Sequence, residues 1–294
     1  MLRTLAPTQR SRVMIGGPDL ATPEVVFETT DLLLEAPNWS ADGAALFLNG
    51  DGRLWRLDLA DPAAGVQPVP FTGLPPINND HVVDPDGEHV YLSANDGHVY
   101  RGSLTGGDVV RISPDDGNWH FLHGVSPDGG TLAYVELGSF DEPGRLVLLP
   151  SAGGDAVRVP AGDGHLDGPE WTPDGEWLLL NTEHFTKAPG HAQLARLPAA
   201  GGNLERLVAS DTVDWFPHVS PDGRAGNYLS FPAGTQGHPA DLDVVVHVVR
   251  PDDWTTSIQR YPIPGGQGTL NVNGWAPDGS RFAFVAYPFD GGTP

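Results

Sequence analysis

Glu170-Trp171-Thr172-Pro173-Asp174-Gly175-Glu176-Trp177-Leu178-Leu179-Leu180 packs an aromatic, a tight reversal and a strand into one short stretch. The reversal recurs as Ser40-Ala41-Asp42-Gly43, Asp84-Pro85-Asp86-Gly87, Ser126-Pro127-Asp128-Gly129, Ser220-Pro221-Asp222-Gly223 and Ala276-Pro277-Asp278-Gly279. Consecutive turn aspartates lie 44, 42, 46, 48 and 56 residues apart, the length of a small antiparallel sheet. Proline presets φ at the second turn position, and glycine takes the positive φ that closes the reversal.

Each copy anchors four strands. In the first, Pro37–Ser40 leads into the turn, Ala45–Leu48 follows, then Arg53–Leu57 with alternating apolar residues, then a strand near Val66–Phe71. The glycine pairs Gly106-Gly107, Gly153-Gly154 and Gly201-Gly202 read as hairpin turns, because no helix start follows them as a phosphate loop requires. The sixth copy retains only its first two strands, Val272–Ala276 and Arg281–Tyr287. The missing pair matches Arg12–Gly17 and Glu24–Phe27 at the other end of the chain. The expected architecture is therefore an all-β, six-bladed propeller of four-stranded antiparallel blades, a single domain over residues 1–294 closed by the N-terminal strands. The blades fall at about 32–72, 77–113, 119–160, 165–209 and 213–263, with the last at about 270–289 plus 10–29.

Composition suits that architecture and narrows the function. The 38 Gly and 29 Pro among 294 residues leave little room for long helices. A formal charge of −22 argues against nucleic acid and anionic membrane as partners. With no cysteine, disulfides, thiolate metal sites and cysteine nucleophiles are excluded. The N-terminal stretch lacks the apolar core of a signal peptide, and no segment is apolar enough to span a bilayer, so the expected location is the cytoplasm. A closed ring has no free edge that demands a partner, so a monomer is expected.

The Ser-Pro-Asp-Gly phrases with an aromatic just ahead resemble the PD40, WD40-like repeats of TolB-type propellers, over nearly the whole chain. The sequence as read shows neither the N-terminal α/β domain nor the export signal of TolB, so a Tol–Pal envelope role is not expected. It has no Gly-x-Ser-x-Gly elbow.

In such a ring the first strand of each blade faces the axis. Four or five positions ahead of each turn Asp lie Asn38, His81, His123, Glu170, His218 and Asn273. His81, His123, Glu170 and His218 form a candidate shell for a divalent ion. Imidazole and carboxylate favour Mn, Fe, Ni or Zn over Ca. The bland alternative is a water-filled polar axis. The mixed offset is a difficulty, since adjacent strand residues point to opposite faces, and the prolines before Glu170 and His218 are expected to accompany a local shift.

Long loops gather on the same face. They supply His120, His165 and His184 as candidate proton-transfer groups. Asn79, Asp167, Glu183 and His238, with Asn38 and Asn273, are candidate ligand contacts. Trp39, Trp171 and Trp275 repeat in register and read as packing between blades. Trp119 and Trp215 break that register and are candidate stacking platforms for a sugar or aromatic ring.

Three functions follow as expectations. The first is a metal-dependent lyase or hydrolase acting on a carbohydrate or uronate at the channel mouth. This reading has a looser resemblance to oligogalacturonate lyases, whose propellers hold manganese with histidines. The second is a non-catalytic, TolB-like binding module whose loop face holds a peptide, a sugar or a protein partner. The third is a calcium-dependent lactonase or phosphotriesterase built on Asn38, Glu170 and Asn273.

Overall fold

The computed structural model describes residues 3–291. Six blades surround a common axis, five of four strands and a sixth of three strands plus an irregular inner segment, and among the described residues helix is confined to one short turn at Pro62–Ala64. Blade 1 comprises Glu35–Trp39, Ala45–Gly50, Arg53–Asp58 and Gln67–Pro68. Blade 2 comprises Ile77–Val83, His89–Ala94, Val99–Ser103 and Val110–Arg111. Blade 3 comprises Trp119–Val125, Thr131–Leu137, Arg145–Pro150 and Val157–Arg158. Blade 4 comprises Leu166–Trp171, Trp177–Thr182, Gln193–Pro198 and Glu205–Arg206. Blade 5 ends in a long hairpin, Ala240–Arg250 with Asp253–Gly266, outside Val213–Val219 and Gly226–Phe231.

Blade 6 closes the ring as the repeat count requires. Ser11–Gly16 pairs with Phe282–Ala286 on one side and with Glu24–Thr29 on the other. Its inner strand is less regular than expected. It is held by the Trp275–Phe282 bridge and by the Ala283 amide donating to Gly274 O. Arg3 fastens the closure, reaching Glu35 at 3.1 Å, the Gln267 carbonyl at 2.6 Å and Asp241 at 3.1 Å.

The repeated phrase builds one turn six times. Each glycine donates its amide to the carbonyl three residues back, and its φ lies between 70° and 73°. The aspartate locks the reversal. Asp128 Oδ1 accepts from Ser126 Oγ at 2.6 Å and from the Gly130 amide at 2.9 Å, and Asp42 and Asp222 repeat the pattern. In each glycine pair both residues take positive φ and the first closes a turn onto the carbonyl three residues back, while Gly107 already begins a two-residue strand beside Phe71–Thr72.

Between blades the core divides into six apolar clusters, one for each junction of neighbouring blades. Trp39, Trp171 and Trp275 are buried in three of them, as their register implies. Stability is therefore distributed around the ring, while the inner strands are left free to carry polar groups.

Candidate functional site at the channel mouth

The inner strands of blades 1 to 5 all slip register at or just before the residues of interest. The slips fall between Glu35 and Asn38, Ile77 and His81, Leu122 and Gly124, Asp167 and Glu170, and Trp215 and His218. In blades 1, 4 and 5 the slip contains a left-handed residue followed by proline: Ala36 at φ 51°, Gly168 at 63° and Phe216 at 55°. A bulge inserts one residue and re-aims the next side chain. That accounts for the mixed offset. Asn38, Glu170 and His218 lie one position nearer the turn than His81, His123 and Asn273 because three blades carry this left-handed step and three do not.

The side chains then sort into separate groups. Glu170 meets His218 Nδ1 through one oxygen and accepts from Asn273 Nδ2 through the other. His218 Nε2 donates to the Leu270 carbonyl at 3.0 Å, and Asn38 Nδ2 donates to the Asn273 carbonyl at 2.8 Å. His123 turns elsewhere, with Nδ1 toward the Asn271 carbonyl at 3.3 Å and Nε2 toward Asp167 at 2.8 Å and Asp80 at 3.9 Å. His81 stands apart, its Nε2 3.4 Å from the Phe47 carbonyl; burial pushes it down to about 4, so it is neutral.

His81, His123, Glu170 and His218 therefore do not form one coordination shell as arranged. Both ring nitrogens of His123 and of His218 face oxygen acceptors, and both Glu170 oxygens are engaged. Of the Asn38, Glu170 and Asn273 set that a calcium ring would use, both Glu170 oxygens are engaged and Asn273 Oδ1 accepts the Trp275 amide at 2.9 Å, whereas Asn38 Oδ1 is buried without a partner. Among the described residues, the one group of three or more His or carboxylate ligands within mutual ligand distance is Asp116, His120 and Glu136, off the axis.

The long-loop face opens into a pocket of about 770 Å³. One wall is aromatic. Trp119 stacks on Phe121 with ring centres 6.2 Å apart, and Phe140 tilts against Trp119 at 5.0 Å. The facing side carries Asn79, Asp80, His165, Asp167, His238 and Asn271. Its electrostatics centre on His123. Burial opposes charge there, but the Asp80 and Asp167 carboxylates outweigh it and push His123 up to about 9. Burial pushes Asp80 up to about 6, with Asp167 adding to the rise against the pull of His123. Asp167 is also buried, yet His123 and His238 hold it well below the usual carboxylate range.

Comparison with known proteins gives this geometry a setting. No family model matches the chain. An uncharacterised protein of Agrobacterium fabrum is 35% identical over 285 residues, covering 95% of this chain and 93% of the relative. A solved structure of a TolB candidate from Agrobacterium tumefaciens, 35% identical, superposes with a TM-score of 0.84 over 95% of this chain and 98% of the other. The chain belongs to the TolB-like six-bladed propellers. An oligogalacturonate lyase in complex with manganese shares the fold at 12% identity, with a TM-score of 0.55 over 90% of this chain and 75% of that one.

In this TolB-like propeller, the sequence-derived candidates Asn79, Trp119, His165, Asp167 and His238 come together in the mouth pocket. Others do not. Trp215 is 1% exposed and packs beneath His238 at 4.4 Å, so it presents no face to a ligand. His184 lies at the surface, its Nδ1 accepting the Asp163 amide, and Glu183 lies beside it, outside the pocket lining. His120 points away into the Asp116–Glu136 cluster. Sequence reading missed Asp80, Phe121, Phe140 and Asn271 as site residues. Asp80 was visible as a polar loop residue, but no spacing announces its approach to His123 of the next blade.

Across the described residues, no helix is long and apolar enough to cross a membrane.

Proposed function

We propose that this TolB-like propeller is a hydrolase working by proton transfer on a neutral, carbohydrate-type small molecule held in the mouth pocket. The observation that carries this reading is the junction at His123 Nε2. Two pocket-lining carboxylates approach one imidazole nitrogen and are driven to opposite protonation behaviour. A pair of titratable groups pushed apart by its surroundings is how acid and base roles are divided.

In this reading a sugar ring lies on Trp119, with Phe121 and Phe140 completing the wall. Asp80, ionised above pH 6, takes the proton from a water as its oxygen bonds to the ligand's electrophilic carbon. His165 accepts the Gly144 amide at Nδ1, so its Nε2–H is free to hydrogen-bond the departing oxygen, which takes its proton from solvent water as the bond to carbon breaks. Asp167 and the charged His123 hold the field in place and position Asp80.

A uronate fits less well than a neutral sugar. It would meet Asp80, Asp167 and Glu142 in the pocket. Elimination also calls for a cation over the uronate carboxylate, which the inner ring as arranged does not supply. A second reading, a binding propeller, is favoured by Phe140, which is 69% exposed at the rim where a partner would cover it.

The deciding experiment is a turnover screen with neutral and uronic aryl glycosides. Hydrolysis of a neutral glycoside, abolished by Asp80→Asn with the fold intact, supports the hydrolase. Absence of turnover, with sugar or peptide binding indifferent to Asp80→Asn, replaces it with the binding propeller.

A further inference from the structure

The strands that build the aromatic wall carry a second set of groups on their reverse side. Trp119 and Phe121, with Val135 and Leu137 on the partner strand, line the pocket. His120, Tyr134 and Glu136 alternate with them and so point away from it. There they meet Asp116, from the loop that leads into blade 3.

We propose that Asp116, His120 and Glu136 form a binding site for a divalent transition ion of the zinc or manganese class. One ligand atom from each lies within 4.8 Å of the other two. The orientation of His120 is the independent observation. The residue is 1% exposed, and its Nδ1 donates to the Gly97 carbonyl at 2.7 Å. That bond leaves the lone pair on Nε2, the arrangement in which a histidine is set to ligate a metal. Nε2 has no hydrogen-bond partner, since the Asp116 oxygen 3.4 Å away is not aligned for one. A buried, unpartnered nitrogen facing two carboxylates is costly unless something cationic completes it.

Tyr134 adds a second unsatisfied group. Its hydroxyl is buried without a partner, and its ring stands edge-on to His120 at 5.2 Å. Arg158 already holds Glu136 Oε1, at 2.8 Å from Nε and 2.6 Å from its terminal nitrogen. That guanidinium is largely exposed, so it can swing aside or share the carboxylate with an ion. One imidazole with two carboxylates is a borderline donor set, which favours zinc or manganese over calcium. An ion here lies directly behind the pocket wall and would brace Trp119 and Phe121.

The test uses chelator-stripped full-length protein titrated separately with Zn²⁺, Mn²⁺ and Ca²⁺, read by calorimetry and thermal melting. The expected result is saturable 1:1 binding of Zn²⁺ or Mn²⁺ that raises the melting temperature. Asp116→Asn and Glu136→Gln, both near-isosteric, should each weaken binding about tenfold or more. His120→Ala should abolish it, and circular dichroism checks that this variant still folds. Binding that is absent, confined to Ca²⁺, or unchanged in both carboxylate variants overturns the proposal. Because both readouts are independent of turnover, failure here leaves the hydrolase reading untouched, and the converse also holds.

Discussion

His123 Nε2 lies 2.8 Å from Asp167 Oδ1, a contact that joins the inner strand of blade 3 to that of blade 4 in the interior of the ring. It makes one titration report on the integrity of two blades. His123 moves from its ordinary 6.5 up to about 9 on folding, so its contribution to stability is fully present below pH 6.5 and lost as pH rises through about 9. Melting temperature should fall across that window. His123→Asn should flatten the fall, and an unchanged slope would show that His123 is not held charged.

Asp80 runs in the opposite sense for its type. Its ordinary 3.8 rises to about 6 in the folded protein, so protonation favours the fold and stability declines as pH climbs from 3.8 through about 6. Asp80→Asn should abolish that decline and exceed the parent protein in melting temperature above pH 6. With a substrate in hand, the parent's rate should rise with pH around 6 as Asp80 ionises, and the variant should lack that limb.

Two tryptophans that look alike in sequence should separate sharply. Trp119 is half-buried in the pocket wall, so Trp119→Ala should weaken ligand binding while costing little stability. Trp215 is 1% exposed in the core between blades 5 and 6, and Trp215→Ala should cost about 3–5 kcal/mol in chemical denaturation. Equal effects on stability would contradict the placement of Trp119.

Gly168 supports the bulge that aims Glu170. Its φ is 63°, and an added Cβ would lie 3.0 Å from the Phe216 ring. Gly168→Ala should therefore destabilise by about 1–2 kcal/mol. A crystal structure of the variant should show Glu170 displaced from His218 and Asn273; an undisturbed trio would show that the bulge tolerates a side chain.

The fold was more legible than the site, for a physical reason. A turn is a local event. Proline, aspartate and glycine at fixed offsets declare it, and six declarations count six blades. The bulges are also local, but only Gly168 advertises a left-handed backbone, while Ala36 and Phe216 adopt it under tertiary constraint. Counting back from the turns therefore found polar inner-strand residues yet could not say which face each would take. It grouped His123 with His218, whereas the structure gives His123 to Asp80 and Asp167, and His218 to Glu170. Such partnerships cross from blade to blade and leave no periodic trace.

The joint in blade 6 has a consequence for how the protein is made. Val13 pairs with Val285, so one strand must wait for a partner that lies far later in the chain. Until then the Ser11–Gly16 strand, paired with Glu24–Thr29 on one side, lacks its partner on the other, and the apolar clusters on both sides of blade 6 are incomplete. Pairing over such a separation is entropically slow. Closure of the ring is accordingly expected late in folding. Protection of that first hairpin in its dangling state is a requirement that the finished molecule no longer displays.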